Sequence, residues 1–167
     1  FQIRFPTVWP ADSIAYVLDQ DFTINNAGPA VSLTLAPGAV VKFSGYRILL
    51  DSIVSLNLNG TAANPVILTS LKDDSVLGDT GNDGNTLPRT ADWGGINAVT
   101  FSSGSSITMT HAKIAYANWV YGGGYLSVSD SSFDHMGIGL SPGVCYYNSG
   151  RVSVINSTFS NCDVGLF

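Results

Sequence analysis

"LSVSDSSFDHM", residues 126–136, sets Leu126 and Val128 on either side of one serine, breaks at Asp130, and returns to an apolar side chain at Phe133. Two further stretches superpose on it: "ITMTHAKIAYA" (107–117) and "VSVINSTFSNC" (152–162). Each has two apolar residues around a small polar one, and a third apolar residue five places later, at Ile114, Phe133 and Phe159. The three starts, Ile107, Leu126 and Val152, are nineteen and then twenty-six residues apart. The match between the last two continues, with "MGIGL" (136–140) against "CDVGL" (162–166). Earlier in the chain, "VSLTLAPGAVVKF" (31–43) and "VSLNLNGTAANPVILTS" (54–70) share a V-S-L-x-L opening twenty-three residues apart.

Alternation of period two is the mark of a half-buried strand, and self-similarity near twenty residues is the mark of stacked repeats. Together they predict an all-β solenoid, a right-handed parallel β-helix. Each coil of roughly 20 residues contributes two or three short strands and buries its apolar face only against its neighbours. The inward residues should then form columns: Met109, Val128 and Val154 in one, Ile114, Phe133 and Phe159 in another. His111, Asp130 and Asn156 share a register at a turn, where stacked polar residues satisfy backbone groups; that column is structural first. A β-sandwich also has short alternating strands, but it does not require consecutive segments to repeat. Leucine-rich repeats have similar periods, but their Leu/Asn consensus and helical segments are absent.

Composition agrees. The chain has 167 residues, 45% hydrophobic and 11% charged, against roughly 25% charged in ordinary soluble domains. One domain with a real core is expected, and disorder is not. All twelve acidic residues are Asp, and good helix formers are scarce beside Val, Ile, Thr, Ser, Asn and Gly. Net charge is −5, and the basic residues Arg4, Lys42, Arg47, Lys72, Arg89, Lys113 and Arg151 never form a run. Nucleic acid and an anionic membrane surface, which need a basic stripe, are set aside as partners. No apolar stretch reaches the roughly 20 residues of a membrane span. The sequence starts at Phe1 rather than Met, from which a processed or trimmed product is expected. Cys145 and Cys162 are too few for a disulfide framework or a zinc cluster; two buried thiols are the first reading and one disulfide the second.

"YVLDQDFTIN…VSLTLAPGAVVKF", followed by "LNGTAANPVILTSLKDDSVLGDTGNDGN…ADWGGI", resembles a module of secreted and cell-surface proteins with a right-handed parallel β-helix (pectate-lyase-like) fold. The specific part is the order Gly60-Thr61, Asn64-Pro65, Thr69-Ser70, Asp73-Asp74, Gly78-Asp79 and Asp92-Trp93-Gly94-Gly95-Ile96. The likeness covers residues 16 to 167, which sets residues 1–15 apart as an N-terminal extension or arm. The resemblance implies an extracellular or surface-displayed, mostly non-enzymatic module of adhesins and surface layers, and names no ligand.

Residues 71–95 hold five of the twelve acids in a chain otherwise poor in charge. Asp79, Asp83 and Gly84 sit like part of a calcium loop, since hard cations want several oxygens on a tight turn. A true EF-hand is excluded, because Gly81 stands at the third position and Thr90 at the twelfth. A looser calcium site of Asp73, Asp74, Asp79, Asp83 and Asp92 is the candidate cofactor site. The alternative is a solvated insertion pinned by Pro88 and Trp93, with backbone amides and Lys72 or Arg89 compensating the carboxylates.

Catalysis is not expected. Glycoside hydrolysis needs two opposed carboxylates; Asp130, Asp134 and Asp163 lie on repeating coils with His135 and Lys113 nearby, but their column mates are small and no basic cluster awaits a uronate. A glycan partner is suggested by "YANWVYGGGY", in which Tyr116, Trp119, Tyr121 and Tyr125 surround three glycines, with Tyr146-Tyr147 one coil later. Flat aromatic faces suit sugar rings; the alternative packs these rings on the solenoid wall. Asn59 and Asn156 head N-x-[ST] glycosylation sequons. Finally, the apolar "FQIRFPTVWP" and the last coil, which has no polar cap, suggest self-association of N-terminal arm with open C-terminal coil, the head-to-tail contact that builds filaments.

Overall fold

The computed structural model describes residues 1–25, 31–98, 104–122, 124–137, 146–148 and 151–163. The strands come in successive triplets. The first is β1 (Gln2–Ile3), β2 (Thr7–Trp9) and β3 (Tyr16–Leu18); the second is β4 (Phe22–Asn25), β5 (Val31–Leu35) and β6 (Val40–Phe43). The third is β7 (Arg47–Asp51), β8 (Val54–Asn59) and β9 (Val66–Ser70); the fourth is β10 (Gly95–Ala98), β11 (Ser106–Thr110) and β12 (Ala112–Ala115). Next come β13 (Val120–Gly122), β14 (Tyr125–Ser129) and β15 (Ser132–Asp134), then β16 (Tyr146–Asn148), β17 (Arg151–Ile155) and β18 (Thr158–Ser160). Each strand pairs in parallel with its counterpart in the next triplet, which gives three six-stranded sheets ordered β1-β4-β7-β10-β13-β16, β2-β5-β8-β11-β14-β17 and β3-β6-β9-β12-β15-β18. No helix occurs among the described residues. The architecture is all-β and consistent with a parallel β-helix solenoid, and the antiparallel layers of a sandwich are ruled out.

The register is the one read from the repeats. Met109 pairs with Val128 and Val128 with Val154; Ile114 pairs with Phe133 and Phe133 with Phe159. Val31 pairs with Val54, as the shared V-S-L-x-L opening requires. Alternation then sends Leu33, Leu35, Leu56, Leu58, Ile107, Met109, Leu126 and Val128 into one continuous core. Phe133 and Phe159 stack at 4.8 Å and 8°, so consecutive coils meet in van der Waals contact, where burial of apolar area stabilises most. The end of the matched repeat, 138–140 and 164–166, lies outside the described residues.

The corner between the second and third sheets is one residue in triplet four, His111, and two in triplets five and six, Asp130-Ser131 and Asn156-Ser157. His111, Asp130 and Asn156 occupy it with φ of 46°, 52° and 48°. A left-handed backbone strains most side chains, and Asn, Asp and His are among the few types that adopt it readily. The backbone ladder runs on through the corner, from His111 N–H to the Ser129 carbonyl and from Asp130 N–H to the Ile155 carbonyl. Serines brace the next position: the Ala112 N–H donates to Ser131 Oγ at 3.0 Å, and the Ser131 N–H to Ser157 Oγ at 3.2 Å. In the third triplet the corner is longer and opens at Gly60, where a Cβ would collide with the His111 carbonyl oxygen.

The N-terminal stretch contributes β1 and β2 to the edges of the first and second sheets. Trp9 stacks on Tyr16 at 4.8 Å, and Phe1 and Trp9 both rest on the Phe22 ring.

Candidate functional site

The acidic stretch joins β9 to β10 and lies over the outer face of the third sheet. Lys42 on β6 pairs with Thr69 on β9, both facing away from the core residues Val41 and Leu68, yet both are fully buried. Their cover is the acidic segment. Lys42 Nζ donates to the Gly78 carbonyl at 2.8 Å. Burial pushes its pKa below the ordinary lysine value, and the charges of Asp73, Asp74 and Asp79 partly offset that shift. A lysine enclosed in this way needs negative charge near it, and three of the five clustered carboxylates supply it. Sequence reading had no signal for this beyond Lys42 interrupting the apolar run "AVVKF".

Each carboxylate except Asp83 is engaged by the chain's own donors. Asp73 accepts from Thr69 Oγ1 at 2.6 Å and Ser75 Oγ at 2.5 Å. Asp74 Oδ2 accepts from the Thr86 N–H at 2.8 Å. Asp79 takes the Asp83 and Gly84 N–H groups. Asp92, which is largely buried, accepts from Ser70 Oγ and pairs with Lys72 Nζ at 3.1 Å. Among the described residues Arg89 makes no ion pair. Asp83 is exposed. One carboxylate oxygen, Asp74 Oδ1, is buried without a hydrogen-bond partner, where calcium wants six to eight oxygens. Among the described residues no three acidic, His or Cys side chains converge as a metal-holding group. Trp93 closes the segment back onto the core, stacked on Phe43 at 3.9 Å with its Nε1–H donated to the Ala115 carbonyl at 2.8 Å.

The aromatic candidates are spread along the wall. Tyr116 stacks on His135 at 5.2 Å, and burial with the Asp73 and Asp134 charges raises its phenol pKa. Trp119 precedes β13, and its Nε1, like the neighbouring Asn118 Oδ1, is buried without a partner. Tyr121 lies on β13 and packs partly on the core, and Tyr125 opens β14 half-exposed. The Tyr146 and Tyr147 side chains lie outside what is described. Both sequon asparagines, Asn59 and Asn156, are exposed.

Asp134 forms the densest polar knot. It receives Ser160 Oγ and Asn161 Nδ2, each at 2.8 Å, and lies 2.8 Å from His135 Nδ1. Burial alone would raise its carboxyl pKa, but the bonds from Asn161, Ser160 and His135, and the charge on His135, bring it below the usual range. Asp163 is exposed. Cys162 carries a disulfide, not the free thiol of the first reading, and no free cysteine occurs among the described residues; Cys145 lies outside them. Spacing alone does not distinguish the two states.

The corner column borders a groove of about 400 Å³, lined by Thr61, Pro65, His111, Lys113, Asp130, Ser132 and Asn156, among others. It crosses four successive triplets. Asp130 Oδ1 accepts from Asn156 Nδ2 at 3.3 Å. The longer corner of the third triplet walls one end. Sequence reading found the column but not the concavity, because the groove depends on that one corner bulging while the next three stay tight.

No family model, no curated protein and no solved structure matches the chain.

Proposed function

We propose that the chain is a non-enzymatic extracellular structural or adhesive module, built as a right-handed parallel β-helix of the pectate-lyase-like kind with residues 71–95 as an insertion between coils. The observation that carries this reading is the unbroken register of the column Trp9, Leu35, Leu58, Met109, Val128 and Val154 across all six triplets. Such a core makes a stiff rod whose outer face is free to vary. Right-handedness follows the rule that parallel strand–crossover–strand units are almost always of that hand. The disulfide at Cys162 supports an oxidising, extracellular setting. The carboxylates support a non-catalytic role. A glycosidase acid needs a raised pKa, whereas Asp134 is held ionised by three donors.

The test is co-sedimentation with insoluble cell-wall polysaccharide, together with an assay for released soluble sugar. Retention in the pellet without sugar release is expected. Sugar release would replace this reading with a polysaccharide-degrading one, and failure to pellet would remove the adhesive half of it.

A second reading concerns self-association. In the first triplet Phe5, Val8 and Ile14 are well exposed, and Phe1, Trp9, Tyr16 and Leu18 line a recess of about 290 Å³. We assign this apolar surface to a second copy of the chain. Light scattering should give a mass above the monomer that Val8→Asp reduces; a monomer at high concentration would contradict it.

A further inference from the structure

We infer that the groove along the corner column binds an extended, uncharged oligosaccharide, lying parallel to the solenoid axis. The inference rests on the adhesive reading above and gives it a ligand class.

The first argument is the state of the groove's polar groups. In the acidic segment nearly every carboxylate is used internally. In the groove, Lys113 Nζ, the His111 ring and the hydroxyls of Ser132 and Thr158 have no side-chain hydrogen-bond partner among the described residues. Lys113 is exposed, while Ser132 and His111 are half-buried. These groups converge on one concave surface together with the Asp130 carboxylate and the Asn156 amide.

The second argument is their chemistry. The set mixes donors and acceptors: an ammonium, an imidazole, a carboxylate, a carboxamide and two hydroxyls. Sugar hydroxyls both donate and accept, and such a mixed set matches them. A polyanion is a poor fit, because Asp130 faces the same space as Lys113 and the whole chain carries a net charge of −5. A polycation would face Lys113.

The third argument is spacing. Stacked strands lie about 4.8 Å apart, so equivalent positions in the groove repeat at that interval along the axis. One pyranose ring with its linkage is of similar length. The wall formed by Thr61–Pro65 stops the groove at one end. The three triplets beyond that end, four to six, then give about 10 Å from first to last, room for a short extended segment rather than a single ring.

The test measures retention of three tetramers on the immobilised chain: β-1,4-linked glucose, α-1,4-linked galacturonate, and a sulfated galactan fragment. Two variants accompany the wild type. Ala62→Arg puts a bulky side chain on the exposed rim of the groove, and Lys113→Ala removes an exposed donor; circular dichroism melts show whether each folds as the wild type does. The neutral tetramer should be retained most. Ala62→Arg should weaken its binding by at least about tenfold, a difference of about 1.4 kcal/mol, and Lys113→Ala should weaken it by a smaller factor. Preferential retention of either charged tetramer would overturn the inference. So would unchanged binding in both folded variants, or no retention of any tetramer. If wild type and Ala62→Arg pellet equally with wall polysaccharide, the adhesive reading stands and the groove assignment falls.

Discussion

Ser131 is a small side chain with a large share in the corner. Its Oγ accepts from the Ala112 N–H and donates to the Ser129 carbonyl at 2.7 Å, almost wholly out of solvent. Ser131→Ala would orphan a buried N–H, which costs about 1–3 kcal/mol. Urea denaturation should show that loss with an unchanged slope. Asp134 governs acid stability nearby. Its folded pKa lies below the unfolded one, so its contribution is present above the unfolded value and lost as pH falls through the folded one. Asp134→Asn should therefore flatten the decline in melting temperature below about pH 4. At this scale the sequence was legible where residue type and backbone strain agree: His111, Asp130 and Asn156 stand in one register, and all three are types that tolerate positive φ. It was not legible at Lys42, because the burial of one lysine depends on a segment that begins nearly thirty residues later.

The acidic segment is the element whose role changes most between sequence and fold. Its carboxylates were visible as a cluster; their partners were not, since Thr69 and Lys42 lie on the outer face of their strands, which is expected to meet water. The expected compensation by backbone amides and Lys72 is present at Asp79, Asp74 and Asp92. Beneath them lies a buried cation that alternation of strand residues cannot reveal. Lys42→Met should cost about 1–3 kcal/mol, through loss of the charged bond to the Gly78 carbonyl. The pH dependence has a definite sign. With the folded pKa lowered, the unfolded chain binds more protons between the two values, so Lys42 makes stability rise with pH there. Tyr116, whose pKa is raised, acts in the opposite sense in the same alkaline range. The difference between wild type and Lys42→Met cancels the tyrosine, and wild type should gain on the variant as pH climbs toward the ordinary lysine value. A chelator should leave the melting temperature where it is, because a ligand bound only to the native state would raise it; a drop on chelation would mean that the carboxylates gather around a metal.

For the whole molecule, everything follows from stacking. The repeat of "LSVSDSSFDHM" with its two counterparts was enough to place three strands of the second sheet and three of the third in correct register. The first sheet was harder to see, because β1, β10, β13 and β16 are short and carry no shared motif. The groove was invisible for a related reason: it arises between coils, from the departure of one corner from the repeat. Stacking also allows a direct check. Thr108 and Ser127 face outward as registered partners on β11 and β14, at a strand separation of about 4.8 Å that falls within the Cα range of a disulfide. The measurement is oxidation of the double variant Thr108→Cys/Ser127→Cys beside Thr108→Cys/Ser129→Cys, with the bridges mapped by mass spectrometry. Parallel stacking in this register predicts rapid bridging of 108 to 127 and little of 108 to 129. Equal bridging in both, or the reverse preference, would contradict it.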